Sequence, residues 1–147
     1  MQTDRPQAPG YLANLMARLF HEVAGAGLAP LGIRPQQFPI LVELWFGQAD
    51  VTVTSLMRSQ EMRARDVEAL LLDLAGDGLI AMVPAHPGQK IVLTERAVAA
   101  RDDALKAARR ANQAAAGALT DTEMAQLLEL MNRVIDALQK ERAASSE

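Results

Sequence analysis

Residues 51–94 read VTVTSLMRSQEMRARDVEALLLDLAGDGLIAMVPAHPGQKIVLT, and the fold follows from how that stretch divides. Val51–Val53 reads as a short extended piece. Thr54 or Ser55 can cap a short helix running to about Gln60, because a hydroxyl can accept from the first free backbone N–H groups. Glu61–Arg63 then forms a turn. A longer helix, about Ala64 to Gly76, recurs in apolar side chains at Val67, Leu70, Leu71 and Leu74, the spacing of one buried helix face. Gly78 stands at the C′ position, where a left-handed backbone needs no Cβ. Leu79–Val83 and Lys90–Leu93 are β-favouring runs on either side of Pro84-Ala85-His86-Pro87-Gly88-Gln89, which makes a hairpin. Helix, turn, helix and hairpin in that order predict a winged helix-turn-helix. Its second helix enters the major groove of DNA with its N-terminal residues near base edges. That helix would offer Arg63, Arg65, Asp66, Glu68 and Ala69, while Arg58 on the helix before it can meet a phosphate.

Upstream, residues 1–9 carry Pro6 and Pro9 among polar residues and read as a loose arm. Leu12, Leu15, Met16, Leu19, Phe20 and Val23 then repeat at helical spacing, and Gly25 and Gly27 weaken the end of that helix before a turn at Pro30 and Gly32. Pro35 can start a second helix without losing a needed N–H; its buried face would be Phe38, Leu41, Val42 and Trp45, and Gly47 closes it. Downstream, Thr94-Glu95 opens an Ala-rich helix to about Ala116, and Gly117 breaks it. Thr120 and Glu123 form a capping box for a last helix, whose Met124, Leu127, Leu128, Met131, Val134, Ile135 and Leu138 make a long apolar stripe. Residues 143–147 read as frayed. The fold class is therefore mostly α: one domain, with a winged helix-turn-helix lobe at about 35–94 and flanking dimerisation helices at about 10–30 and 95–142.

Composition narrows the function. Half of the 147 residues are hydrophobic, yet only 3% are aromatic and none is cysteine. The missing cysteine excludes disulfides, thiol redox sensing, cysteine metal sites and a cysteine nucleophile. The two histidines sit on separate elements, and Asp102-Asp103 are adjacent on a helix and so point in different directions. No metal-ligand spacing or phosphate-cradling glycine loop is visible. The expectation is a non-enzyme without metal or cofactor. The longest apolar runs, such as Phe38–Leu44, are too short to span a bilayer, and the N-terminus lacks an apolar signal region. A cytoplasmic protein with no membrane partner is expected. The net charge of −3 counts against a general affinity for polyanions, so any basic surface must be local.

Leu31-Gly32-Ile33-Arg34-Pro35-Gln36-Gln37-Phe38, the run Leu56 to Ile80 with Val67, Leu71, Leu74 and Gly78-Leu79-Ile80, and Val92-Leu93-Thr94-Glu95 carry a resemblance. In these stretches and in the order of its elements, from about residue 11 to 140, the chain resembles the multiple-antibiotic-resistance-regulator (MarR) family of winged helix-turn-helix repressors. The resemblance implies a homodimer whose terminal helices pair between subunits, a two-fold DNA site, and a ligand crevice between the dimer helices and the DNA lobe. Three features depart from the family pattern. The wing lacks the family's Asp-x-Arg element, leaving Lys90 and His86 as its minor-groove or phosphate candidates. Between Thr54 and Ile80 three arginines face five carboxylates, and Glu61 occupies a turn position where a small residue is usual.

The expected DNA-binding residues are thus Arg58, Arg63, Arg65, Asp66, Glu68, Ala69, His86 and Lys90. Phe20, His21, Phe38 and Phe46 would line a crevice for a small aromatic or amphipathic effector, with Trp45 as core. Leu12, Leu15, Leu19, Leu127, Leu128, Met131, Ile135 and Leu138 would form the dimer interface, because so small a DNA lobe cannot bury both terminal stripes. Two functions stay open. One is a dimeric, ligand-responsive repressor on a palindromic operator in double-stranded DNA. The other is a family member with weak or lost DNA binding that acts through a protein partner.

Overall fold

Proline at the first helical position, where its missing N–H costs nothing, starts α1 at Pro9, and the helix runs to Leu28. The computed structural model describes residues 4–47, 50–85 and 89–146. The two glycines expected to weaken the end of α1 lie in its last turn, just before the turn at Pro30 and Gly32. At Gly27 a Cβ would stand 2.6 Å from the Cβ of Ala107, so this glycine marks a close helix approach. A 3₁₀ turn, Ala29–Leu31, follows. Gly32 then takes φ +71°, where an L side chain is strained, and the reversal brings the buried Leu28 and Ile33 together through Ile33 N–H to Leu28 C=O at 3.2 Å.

A second 3₁₀ turn, Pro35–Gln37, leads into α2, Phe38–Phe46. Its fully buried side chains are Ile40 and Leu41; Phe38, Val42 and Trp45 are half-buried. Ile40, not expected on the buried face, thus replaces Val42 in the core, while Leu41, Phe38 and Trp45 keep their expected side. Helix α3, Val53–Ser59, begins two residues early: Thr52 is the cap, its hydroxyl accepting from Ser55 N–H at 3.1 Å while its own N–H donates to the Ser55 hydroxyl at 2.9 Å. Val53 is therefore the first helical residue and not part of an extended piece. Helix α4 spans Ala64–Gly76, as the spacing predicts, and buries Val67, Leu71 and Leu74. Strands β1, Ile80–Pro84, and β2, Gln89–Leu93, form an antiparallel pair with Ile80 opposite Leu93 and Pro84 opposite Gln89. Helix α5 runs Glu95–Ala116 and α6 runs Asp121–Ser145, so the tail expected to fray is helical through Ser145.

Two compact units divide at Arg110 and Ala111. In the first, the core gathers Leu28, Ile33, Ile40, Leu41, Leu56, Val67, Leu74, Leu79 and Ile91 with the alanines 97, 100, 104 and 107 of α5. Alanine at alternating spacings of three and four lets neighbouring helices approach closely, which is where Gly27 fits. In the second, Thr120 caps α6 with the reciprocal bond from Glu123. No residue of that 25-residue helix is buried.

Candidate nucleic-acid interface

The turn between α3 and α4 sets the angle of α4. Met62 N–H bonds back to Met57 C=O at 3.1 Å, and Glu61 between them adopts φ 55°. This is the six-to-one closure of a helix end with a left-handed residue at C′. Glutamate holds a place that glycine or asparagine fills at lower cost. Met57 and Met62, the two positions that are commonly apolar in such a turn, both pack against the core. Gln60 also donates to Glu43 of α2, tying the turn to the scaffold. Helix α4 then opens at Arg63, whose C=O accepts from Asp66 and Val67 N–H at 3.1 Å each. Asp66 lies in the first turn, where a carboxylate is favoured by the positive end of the helix dipole. The presence of a carboxylate at that position thus has a structural reason.

The far end of α4 is clamped. Buried Gln37 accepts from Arg34 N–H at 2.9 Å and donates to the Asp77 carboxylate at 2.7 Å. The Arg34 guanidinium reaches the same carboxylate at 3.0 Å and Asp73 at 3.7 Å. Arg96 donates to the carbonyls of Asp77 and, at 3.0 Å, Leu31, and the Thr94 hydroxyl donates to Gly78 C=O at 2.7 Å. Donation from Gln37, then from Arg34, holds the Asp77 carboxyl below its ordinary value. These bonds pin α4, the wing and the start of α5 to the loop before α2. The sequence reading assigned no site role to Arg34, Gln37, Asp77 or Arg96; the only signal was that Arg34, Gln37 and Asp77 fall in stretches that carry the family resemblance.

With 3.6 residues per turn and Val67, Leu71 and Leu74 inward, the ridge of α4 furthest from the core is Arg65, Ala69, Leu72 and Gly76, all exposed. Glu68 stands on one flank of that ridge. Asp66 and Asp73 stand on the other, the side that meets Arg34. Arg65 keeps 84% of its side chain exposed while its Nε lies 3.7 Å from Asp66. Leu72, absent from the residues expected at the site, is 75% exposed. Arg58 and Arg63 are exposed at the end of α3 and the start of α4. On the wing, Lys90 Nζ is 3.5 Å from the Asp50 carboxylate just before α3, so the wing's cation is partly neutralised. His86 lies outside the described residues.

The expected effector residues are distributed over two helices. Phe20 is half-buried and His21 exposed on α1. Phe38 and Phe46 occupy opposite ends of α2, about 12 Å apart along its axis. Phe38 packs edge-on against Trp45 with ring centroids 6.1 Å apart, and the Trp45 indole donates to Ala97 C=O at 3.0 Å. Trp45 is thus held in the scaffold. An open cleft of about 480 Å³ lies elsewhere, lined by Gly25, Ala29, Gly32, Ile33, Arg34, Pro35, Asp77 and Arg96, and both its arginines serve the clamp. Among the expected interface residues, Leu12, Leu15 and Leu127 are half-buried and Leu19, Leu128, Met131, Ile135 and Leu138 exposed. Among the described residues no group of three His, Asp or Glu could hold a metal ion, and no helix is long and apolar enough to cross a membrane.

A helix-turn-helix followed by a two-stranded wing and flanked by long helices defines a winged helix-turn-helix protein. No family model and no curated protein matches the chain. Solved structures do, and many of them are MarR-family transcriptional regulators. The Staphylococcus aureus MepR–DNA complex superposes with TM-score 0.82 at 18% identity, over 90% of this chain and 99% of that one. CouR from Rhodococcus jostii, bound to p-coumaroyl-CoA, gives 0.72 at 19% identity over 87% and 91%. A Mycobacterium tuberculosis MarR-family protein in complex with p-aminosalicylic acid gives 0.63 at 20% identity over 86% and 98%. The chain has the fold of these regulators.

Proposed function

We propose that this chain is a dimeric, DNA-binding transcriptional regulator of the cytoplasm, and a repressor whose grip on a palindromic operator responds to a small ligand. The observation that carries the reading is α4 itself. It is the second helix of the helix-turn-helix, braced at both ends, with a fully exposed outer ridge that begins at Arg65 and a wing beside it. The similar fold of a regulator bound to DNA supports it. In this reading Arg65 meets a base edge, while Arg58, Arg63 and Lys90 meet phosphates. Residues 35–94 form the DNA lobe and the segments 10–30 and 95–142 serve dimerisation. The exposed apolar face of α6, with Leu128, Leu130, Met131, Val134, Ile135 and Leu138 each 42–64% exposed, is the kind of surface an obligate dimer covers. An aromatic acid near Phe20, His21, Phe38 and Phe46 is the proposed effector; the p-aminosalicylic acid bound by one protein of similar fold supports that chemistry.

Selection from a random duplex library at low salt tests the reading. It predicts recovery of a palindromic sequence, bound by two copies and released as salt rises. A second reading, action through a protein partner with DNA binding weak or lost, is favoured by the excess of carboxylates between Thr54 and Ile80. Failure to recover any sequence with folded dimer would select it.

A further inference from the structure

We propose that Leu72 sets the sequence preference of this chain by packing on thymine methyl groups in the major groove. The inference rests on the DNA-binding reading above and deepens it. The outer ridge of α4 carries Arg65 at its head, then Ala69, Leu72 and Gly76, all exposed, and the carboxylates Asp66, Glu68 and Asp73 are set to its flanks. The surface that would reach furthest into a groove is thus one cation followed by an apolar strip. Leu72 exposes 75% of its surface, although a leucine gains most when removed from water. Among the base-edge groups of the major groove the thymine C5-methyl is the apolar one, and aliphatic side chains contact it. Arg65 and Leu72 are seven residues apart, about 10 Å along the helix, or about three base steps. With Arg65 on guanine, thymine falls under Leu72 within that distance. Arg65 at the head of the ridge, its side chain 84% exposed, favours a polyanion over an apolar protein surface as the occupant of the ridge itself.

The test uses the full chain and the duplex it selects, with each thymine replaced in turn by uracil, which removes only the methyl. At fixed salt, loss of the methyl under Leu72 should weaken binding about fourfold, the worth of one buried methyl-sized group, at symmetry-related positions in the two half-sites. Leu72→Ala should bind the thymine duplex more weakly and the two duplexes alike. Arg65→Ala should weaken binding yet keep the preference for thymine. Exposure of Leu72 makes its replacement harmless to folding, which circular dichroism verifies. Equal binding of every uracil duplex, or a thymine preference that survives Leu72→Ala, overturns the assignment while leaving DNA binding intact. Selection that recovers no duplex overturns the DNA reading and this inference with it.

Discussion

Single atoms decide several features of this chain. Gly27 is helical, so the ordinary expectation is that alanine would stabilise α1. The geometry reverses the sign, because a Cβ there would stand 2.6 Å from that of Ala107. Gly27→Ala should therefore destabilise the protein by about 1–3 kcal/mol, the cost of overpacking, read as a lowered denaturation midpoint. Asp77 offers a test by pH. Gln37 and Arg34 hold its carboxyl below its ordinary value of 3.8. Its bonds therefore contribute stability fully above pH 3.8, and that contribution is lost as pH falls through the lower folded value. Asp77→Asn should be less stable than the parent at neutral pH, and the gap should narrow below pH 3.8 in a series of thermal melts. Glu61 is the residue whose type and conformation disagree: its φ of 55° suits glycine or asparagine.

At the scale of elements, periodicity was enough for α4, whose expected and observed bounds coincide at Ala64 and Gly76, and for the capping box at Thr120. It was not enough for the start of α3. Thr52, Thr54 and Ser55 are all competent caps, and only the observed bonds choose Thr52. It placed Gly25 and Gly27 near the end of α1 but could not show what Gly27 is for, because a glycine that weakens a helix end and one that admits a neighbouring alanine look alike in one dimension. The candidate site divides in the same way. Arg65 and Ala69 could be read from their place near the start of α4; the spacing of Val67, Leu70, Leu71 and Leu74 already left Leu72 off the buried face, but nothing in one dimension marked it as part of a site. The clamp of Arg34, Gln37, Asp77 and Arg96 joins residues as much as 65 positions apart, as in the Arg96 bond to Leu31. Such pairing leaves no local pattern. For the wing, the ion pair of Lys90 with Asp50 leads to a paired prediction. Lys90→Ala should weaken all DNA sequences alike and lower the salt slope by about one unit. Asp50→Asn should strengthen them, because it releases Lys90 to phosphate. Mobility shifts over a salt series measure both.

For the whole molecule the governing fact is an apolar helix face that α6 leaves uncovered. Leu128, Val134, Ile135 and Leu138 are each about half exposed or more, and an amphipathic helix of this length derives most of its stability from burying that face. A second copy of the chain is the proposed cover. Leu128→Glu should then lower the mass seen by light scattering at micromolar concentration from two copies to one, because it would leave an unpaired charge in the interface. Circular dichroism tells dissociation from unfolding. In the proposed reading dimerisation would also give the DNA contact its symmetry, since two α4 helices related by a two-fold axis would read two half-sites about one helical turn apart. The central claim, a dimer that reads DNA through α4, is tested most directly by selecting duplexes from a random library with the folded parent protein and with Arg65→Ala. The account predicts that the parent recovers one palindromic sequence with half-sites about one turn apart, and that Arg65→Ala loses about 1–3 kcal/mol on it and relaxes one position in each half. Recovery of no palindrome at low salt, by protein shown to be a folded dimer, would contradict it.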